Sequence, residues 1–395
     1  MIRICFFIIF LTPFLFGVEN IKDALKSGEL EGQIQALSFD IANDDDTKSA
    51  YTTILGGFLN YKSNTYKNTY FGIRFYSVNP VSSSKNPQKF GLFDEDSKSI
   101  DSMTEGYIGL IDGRHMLKIG RQHLNTPLMN DKVTPYSYSG LHYKWQAQKN
   151  NNIIFGKINT IKKINERHFS TLSDAGEMDD GVAYIGTSNK KASGLAYKLY
   201  YYNAKELFDS TFFQVGKDIN FDRFKLFSTF QYIKTNKNSS GKNIDPKKEN
   251  GGNDVQINAI RLGIKYSKAG LLAVYSENNG DDGLAKAYGG QAELFTNTII
   301  TTGINRGGPK IVSLRFKYNW STQISSRLIY SDTKFRLSEH PDVPGSYTND
   351  YRSTYLDTKY KYTKGSYLYI RYEHMDRTLK DTDISYFRAA LVQSF

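Results

Sequence analysis

The chain has 395 residues, a formal net charge of +11 and one cysteine. A soluble domain of this length with a single core should contain long apolar runs or amphipathic helices. After residue 20 the sequence contains neither; it shows short alternating stretches rich in Tyr and Thr, separated by clusters of Asn, Lys, Gly and Ser. This distribution argues against a single-core soluble fold. It is typical of a membrane β-barrel, in which lipid-facing and lumen-facing residues alternate.

The first segment has the features of an export signal. Arg3 gives a charged start, residues 4–16 are apolar, and Gly17 is a small residue suited to cleavage. The apolar stretch is too short to span a membrane as a helix. Cleavage would remove Cys5, so the exported chain needs neither disulfides nor redox chemistry. We therefore predict a signal peptide over residues 1–17, a short periplasmic segment over 18–28 and a β-barrel over 29–395.

Alternation with period two, bounded by turn residues, predicts about 18 strands after one or two helical turns at residues 20–27. The predicted strands are residues 30–41, 51–60, 66–77, 103–111, 115–122, 141–148, 153–160, 182–188, 195–203, 212–218, 224–234, 255–266, 271–276, 311–318, 323–332, 351–363, 367–375 and 384–395.

The segment 292–302 also alternates and would make the strand number odd. Single-chain bacterial barrels have an even number of strands, with short periplasmic turns and long external loops. Counted back from the C-terminus, both rules hold only if residues 292–302 lie in a long external loop over 277–310. We therefore predict an all-β fold, a transmembrane antiparallel barrel of about 18 strands that is wide enough for an aqueous lumen.

The predicted strands separate into an apolar face and a basic face. In residues 311–318, Val312, Leu314 and Phe316 oppose Arg315 and Lys317. A charge facing lipid at mid-depth costs about 2–4 kcal/mol, so the polar faces should point into the lumen. Few acids share this parity, which predicts a positive lumen that favours anions. The predicted basic ladder comprises Arg74, Lys118, Lys144, Lys198, Lys225, Arg315, Lys317, Arg327, Arg371 and Arg388. The alternative is a soluble sandwich with basic solvated faces.

The connection after the strand at 115–122 is long, irregular and rich in proline and tyrosine. Pro127 and Pro135 cannot donate to a strand ladder. Backbone without ladder partners is tolerated at membrane depth only where it meets protein or water. We therefore predict that residues 126–139 fold into the lumen and set its narrowest point. Asp131 and Lys132 would then face solute across from Arg74, Lys118 and Lys144. The predicted constriction residues are Arg121, Thr126, Pro127, Asn130, Asp131, Lys132 and Tyr136.

Arg121 differs from the other constriction residues in its parity. It shares the parity of Leu117 and Ile119, which face lipid in this scheme. The proline-rich continuation favours a strand end at this point. We therefore predict that Arg121 lies at the rim of the barrel.

These segments resemble a known family. The residues Gly120-Arg121-Gln122, Thr126-Pro127, Asn130-Asp131, Pro135 and Gly140 resemble the signature segment of the OprD family of outer-membrane porins. The start at residues 21–25, with Gly28 and Gly32-Gln33, is also similar to mature N-termini in that family. The resemblance implies a third long loop folded into the barrel, and passive uptake of amino acids, peptides or carboxylates past basic residues. Lys132-Val133 replaces an Arg found in many relatives, so the substrate class stays open.

Phe395 ends a strand that carries Phe387, Ala389 and Leu391 on the same parity. A terminal aromatic on an amphipathic last strand resembles the signal by which the barrel-assembly machinery recognises outer-membrane proteins. The other expected partners are outer-membrane lipid, lipopolysaccharide and small polar solutes. The oligomeric state is left open, with a homotrimer as a candidate.

Other classes of function find little support. None of the six histidines lies in a hydrolase or metalloprotease motif, and no phosphate-binding loop occurs. Basic residues follow the strand period and do not cluster, which argues against nucleic-acid binding. We therefore predict no enzyme activity, no cofactor and no metal. A structural or adhesive outer-membrane barrel remains the alternative to a channel.

Overall fold

The computed structural model describes residues 20–43, 49–84, 90, 92–93, 98–129, 136–163, 165–171, 180–189, 194–205, 207–237, 254–280, 293–295, 308–335, 339–340, 343–347, 350–377 and 383–395. The predicted signal peptide lies outside these residues. No helix in the described part of the chain is long and apolar enough to cross a membrane.

One short helix precedes a run of antiparallel strands. The elements in chain order are α1 (Ile21–Lys26), β1 (Glu29–Asn43), β2 (Ala50–Lys62), β3 (Thr69–Ser83), β4 (Ile100–Asp112), β5 (His115–Gln122), β6 (Ser137–Gln148), β7 (Asn151–Lys162), β8 (Val182–Asn189), β9 (Leu195–Ala204), β10 (Phe208–Asn220), β11 (Phe224–Lys237), β12 (Asp254–Tyr266), β13 (Ala269–Asn278), β14 (Pro309–Asn319), β15 (Ile324–Phe335), β16 (Glu339–His340), β17 (Val343–Tyr347), β18 (Tyr351–Lys361), β19 (Tyr367–Arg377) and β20 (Ile384–Ser394).

Eighteen of these strands form one closed sheet, while β16 and β17 form a separate ribbon between β15 and β18. Each wall strand pairs with its sequence neighbours, and β1 also pairs with β20, which closes the barrel. The predicted fold class and strand number are confirmed. Residues 293–295 form no strand and lie in the connection between β13 and β14. The rest of the ambiguous segment 292–302 lies outside the described residues.

Several strand ends differ from the prediction for local reasons. β3 begins at Thr69 instead of residue 66, because Lys67 and Asn68 adopt positive φ in a turn closed between Tyr66 and Thr69. β3 also continues through Pro80, beside an irregularity in the pairing of β2 between Thr53 and Ile54. A proline is tolerated at such irregularities because it has no N–H for the ladder.

The alternation of burial identifies the two faces of the wall. On β14, Val312 and Leu314 are 53% and 50% exposed, whereas Ser313 between them is 0% exposed. The exposed apolar side chains therefore point outward, where a lipid belt is expected. The polar faces point into the barrel.

The last residue completes the closure on the outer surface. The backbones of Phe395 and Gly32 exchange two hydrogen bonds of 3.0 Å. A Cβ added at Gly32 would lie 2.1 Å from the ring of Phe395. The ring thus covers the bare backbone of Gly32, an aromatic–glycine contact that helps to fix strand register.

We expect the substitution Gly32→Val to weaken this closure. The new side chain would displace the ring, and overpacking of this kind costs about 1–3 kcal/mol. The midpoint of heat unfolding, read from the folded band on unboiled gels, should fall. Gly270→Val is the matched control, since a Cβ at Gly270 meets nothing nearer than 3.8 Å. Equal midpoints for the two variants would contradict this account of Gly32.

Candidate functional site

The chain after β5 turns into the barrel. Leu128 and Met129 are buried, and the backbone N–H of Leu128 donates to the hydroxyl of Tyr202 at 3.2 Å. Tyr202 is on β9 and is fully buried, while its neighbour Tyr201 points outward and is 44% exposed. The segment from Leu124 to Met129 therefore lies in the lumen, against the inner wall.

A tight turn gives this inward segment its shape. The Thr126 N–H donates to the carbonyl of Met129 at 3.0 Å, and the Met129 N–H donates to the Thr126 hydroxyl at 3.3 Å. Pro127 occupies a position in the turn whose missing N–H leaves no donor unsatisfied. The local sequence is therefore suited to a compact turn inside the barrel.

The same segment packs on an apolar half of the lumen wall. Leu124, Leu128 and Met129 join one buried cluster with inward side chains of β6 to β14, and Tyr136 packs against it. The wall members of this cluster are Tyr138, Ile154, Ile158, Ile161, Val182, Tyr184, Tyr200, Tyr202, Ala204, Phe208, Phe212, Ile233, Val255, Ile257 and Ile311. One side of the lumen is thereby filled.

A second segment, residues 293–295, lies beside the first. The Glu293 N–H donates to the carbonyl of Pro127 at 2.8 Å, and its carboxylate pairs with Lys198 on β9. Gln231 on β11 donates to the Glu293 carbonyl at 2.6 Å. Arg315 on β14 donates to the carbonyl of Phe295. Residues 293–295 belong to the long connection between β13 and β14, as predicted, and inward-facing polar groups from three strands hold this part of the connection inside the barrel.

A continuous row of charged residues crosses the inner wall from β11 to β1. Register partners across neighbouring strands run, in order, Lys225, Lys265, Gly270, Lys317, Arg327, Asp357, Arg371, Arg388 and Phe39. Barrel strands are tilted by about 35–45° to the axis, so a hydrogen-bonded row climbs obliquely around the wall. The row starts next to the short turn before β11 and reaches the outer part of β1. We call these residues the charged row.

The middle of the charged row is fixed by hydrogen bonds. The Arg327 guanidinium donates to the Asp357 carboxylate from Nε at 3.0 Å and from Nη2 at 2.5 Å. The Tyr355 hydroxyl donates to the same carboxylate. It also lies 2.9 Å from the Tyr369 hydroxyl, and the Tyr369 hydroxyl accepts a hydrogen bond from Arg371 Nε. The Arg371 Nη groups make no other hydrogen bond within the described residues. They remain as donors for a passing anion.

The structure places all ten residues of the predicted ladder on lumen-facing positions. Lys265 on β12 also faces the lumen, since it pairs with Lys225 on β11. It was not included in the predicted ladder, although it alternates with the outward-facing Ile264 and Tyr266. The expectation that few acids share this parity needs correction, because four lumen acids pair with ladder residues. These pairs are Arg74 with Glu105 at 3.4 Å, Lys225 with Asp218 at 2.5 Å, Arg327 with Asp357 at 2.5 Å, and Lys198 with Glu293.

The other six ladder residues form no ion pair with an acid of the described residues. Lys118 Nζ lies 4.3 Å from the ring centroid of Tyr107. No carboxylate of the described residues lies within ion-pair distance of Lys118, Lys144, Arg315, Lys317, Arg371 or Arg388. The lumen wall therefore keeps a basic excess in spite of its acids.

The predicted constriction residues fall into three groups. Thr126 and Pro127 lie in the inward segment, and Tyr136 packs against the same cluster. Asn130, Asp131 and Lys132 lie outside the described residues. Arg121 does not line the lumen. It is on the outward face of β5, one residue before the strand ends, because the strand alternates regularly up to the buried Gln122.

The contacts that sequence reasoning missed are those of Tyr202, Glu293 and the Tyr355–Tyr369 pair. The alternation of inward and outward positions within each strand could have identified Tyr202, Tyr355 and Tyr369 as lumen-facing residues. No local signal distinguishes Glu293, since its partners come from strands far away in the sequence.

Comparisons with known proteins agree with this architecture. The sequence model of the outer membrane porin, OprD family, matches residues 113–324. OccAB4 of Acinetobacter baumannii is similar in structure, with a TM-score of 0.79 and 16% identity over 93% of this chain and 98% of that one. OccK9 (OpdG) of Pseudomonas aeruginosa has a TM-score of 0.80 and 14% identity over 94% and 99%. OccAB2 of Acinetobacter baumannii has a TM-score of 0.80 and 15% identity over 94% and 99%. A search of curated proteins found no match.

Proposed function

Since this chain belongs to the OprD family of outer membrane porins, we propose that it gives passive, anion-leaning diffusion of small polar solutes across the outer membrane. Porins of this family reside in the outer membrane of Gram-negative bacteria and are channels, not enzymes. The solutes proposed here are carboxylates, amino acids, peptides and small ions.

The charged row is the observation that carries this proposal. It presents six basic residues and one acid along a path that climbs the wall from its periplasmic end towards its outer part. A confined lumen with such a wall has a positive potential and concentrates anions. Residues 124–129 and 293–295 occupy part of the lumen, and the proposed path of the solute follows the charged row.

The chemistry of the row suits carboxylates that bind briefly and move on. A guanidinium can hold a carboxylate through two parallel N–H donors, while conduction requires sites weak enough to release their ligand. Register partners on neighbouring strands lie about 5 Å apart, so a carboxylate can pass from one donor to the next. Asp357 adds an acceptor within the row, which allows the ammonium group of an amino acid to be tolerated.

Flux into proteoliposomes tests the proposal. We expect swelling rates to fall in the order succinate, alanine, putrescine, because these solutes of similar size carry negative, balanced and positive charge. Liposomes without protein give the background rate. Faster entry of putrescine than of succinate would contradict the anion preference. Absence of any flux through folded protein would favour the structural or adhesive barrel.

A further inference from the structure

Arg121 has no part in the lumen, and its surroundings suggest another role. Its side chain is exposed on the outer surface of β5, in line with Ile119, which is 52% exposed. It lies next to the end of that strand, on the side of the barrel that carries the long connections. A charge on this surface is costly at mid-depth but costs only about 0–1 kcal/mol near an interface. The position is therefore suited to the outer boundary of the lipid belt.

The guanidinium of Arg121 is held in place by an aromatic contact and has no hydrogen-bond partner among the described residues. Its Cζ atom lies 4.7 Å from the ring centroid of Phe169, in the connection between β7 and β8. It makes no hydrogen bond or ion pair with any residue that the structure describes. Stacking uses the face of the guanidinium and leaves its N–H edge for a planar or tetrahedral anion.

The register neighbours of Arg121 carry no charge that would repel such an anion. They are Gly106 on β4 and Ser139 on β6, both with small side chains. Arg352 on β18 offers a contrast, since it also points outward but has Asp332 and Asp376 as its register neighbours. Arg352 thus has a carboxylate on each neighbouring strand, whereas neither register neighbour of Arg121 is an acid.

A second outward cation lies nearby. Lys157 on β7 is exposed and occupies the same row as Leu141 and Ile119. Two strand spacings of about 4.8 Å and an offset of two residues place its Cα about 12 Å from that of Arg121. Asp180 is paired with Lys205 at 2.5 Å, which lowers the pKa of the Asp180 carboxyl. Lys157 makes only a minor contribution to this lowering.

An apolar strip lies below the two cations on the same surface. Ile108, Ile119 and Phe155 are 60%, 52% and 41% exposed on β4, β5 and β7. A ligand that fits must therefore combine an anionic head with apolar chains. Lipid in the outer leaflet has this arrangement, with its phosphates at the height of the cations.

We propose that Arg121 and Lys157 form a site for the phosphate groups of the phosphorylated glycolipid of the outer leaflet. The acyl chains of this lipid lie along Ile108, Ile119 and Phe155. The site is on the outside of the barrel and is independent of which solutes pass through the lumen.

Binding of lipopolysaccharide to the purified full-length barrel tests the site. The probes are lipopolysaccharide and the same material after enzymatic removal of its lipid A phosphates, with bound glycolipid measured by native mass spectrometry. The double variant Arg121→Gln, Lys157→Gln should bind phosphorylated glycolipid at least about tenfold more weakly, since charge-assisted hydrogen bonds to phosphate are lost. Arg352→Gln is the matched control and should bind as the unaltered protein does. The dephosphorylated material should bind weakly to all three.

Three results would overturn the proposal. One is equal binding by the double variant and the unaltered protein; another is an equal loss in Arg352→Gln. The third is equal competition by phosphatidylglycerol, which would remove the assignment to the glycolipid. If the change at Arg121 prevents folding, Lys157→Gln alone decides, because Lys157 lies away from Phe169 and should still weaken binding several-fold.

Discussion

Deletion of residues 129–134 should raise the single-channel conductance by roughly twofold or more, because conductance is limited by the narrowest cross-section. Met129 is fully buried in the lumen and closes the turn with Thr126. Removing it with the five residues that follow shortens the connection between β5 and β6. The wall strands β5 and β6 stay intact, so the barrel should still assemble and show its folded band on unboiled gels.

A deletion of six residues from the connection between β11 and β12 is the control for this prediction. It shortens a long loop by the same amount without touching Leu124 to Met129. We expect it to leave conductance close to that of the unaltered protein. If the first deletion assembled correctly and its conductance were unchanged, the inward segment would not set the narrowest point.

The triple substitution Lys317→Gln, Arg371→Gln, Arg388→Gln should lower the ratio of anion to cation permeability by roughly three- to tenfold, since wall charges create potentials of several kT. These three residues belong to the charged row and have no acid within ion-pair distance among the described residues. Arg315 is left unchanged, because it holds the carbonyl of Phe295 and its loss would also release residues 293–295. Reversal potentials in planar bilayers measure the ratio.

Arg352→Gln serves as the control for charge alone. Arg352 lies on the outward face of β18, so its removal changes the net charge of the protein but not the charge of the lumen wall. An equal shift in the control, or no shift in the triple variant, would show that the charged row does not govern selectivity.

The wall of this barrel could be predicted from local patterns. Each strand is long enough for its alternation to be visible, as in Val312 to Lys317, and short turns such as that between β4 and β5 indicate which strands pair as hairpins. The prolines and the missing ladder partners also indicated that the chain after β5 enters the lumen. These features depend on residues that are close together in the sequence.

The contents of the lumen could be predicted only in part. Residues 293–295 are held inside by Lys198, Gln231 and Arg315, which come from three separate strands. No period or motif relates these positions to one another. The lumen acids could have been predicted, since Asp357 and Glu105 occupy inward positions in their strands. The number of such acids was underestimated from the sequence. The charge of the wall is therefore less one-sided than the basic positions alone suggest.

We propose that the chain forms an open channel whose wall favours anions. The most direct test is the reversal potential of the unaltered protein in a planar bilayer under a tenfold gradient of potassium chloride. We expect discrete conductance steps and a reversal potential with the sign of the chloride equilibrium potential. A potential with the sign of potassium, or no steps from protein that shows the folded band on gels, would contradict the account.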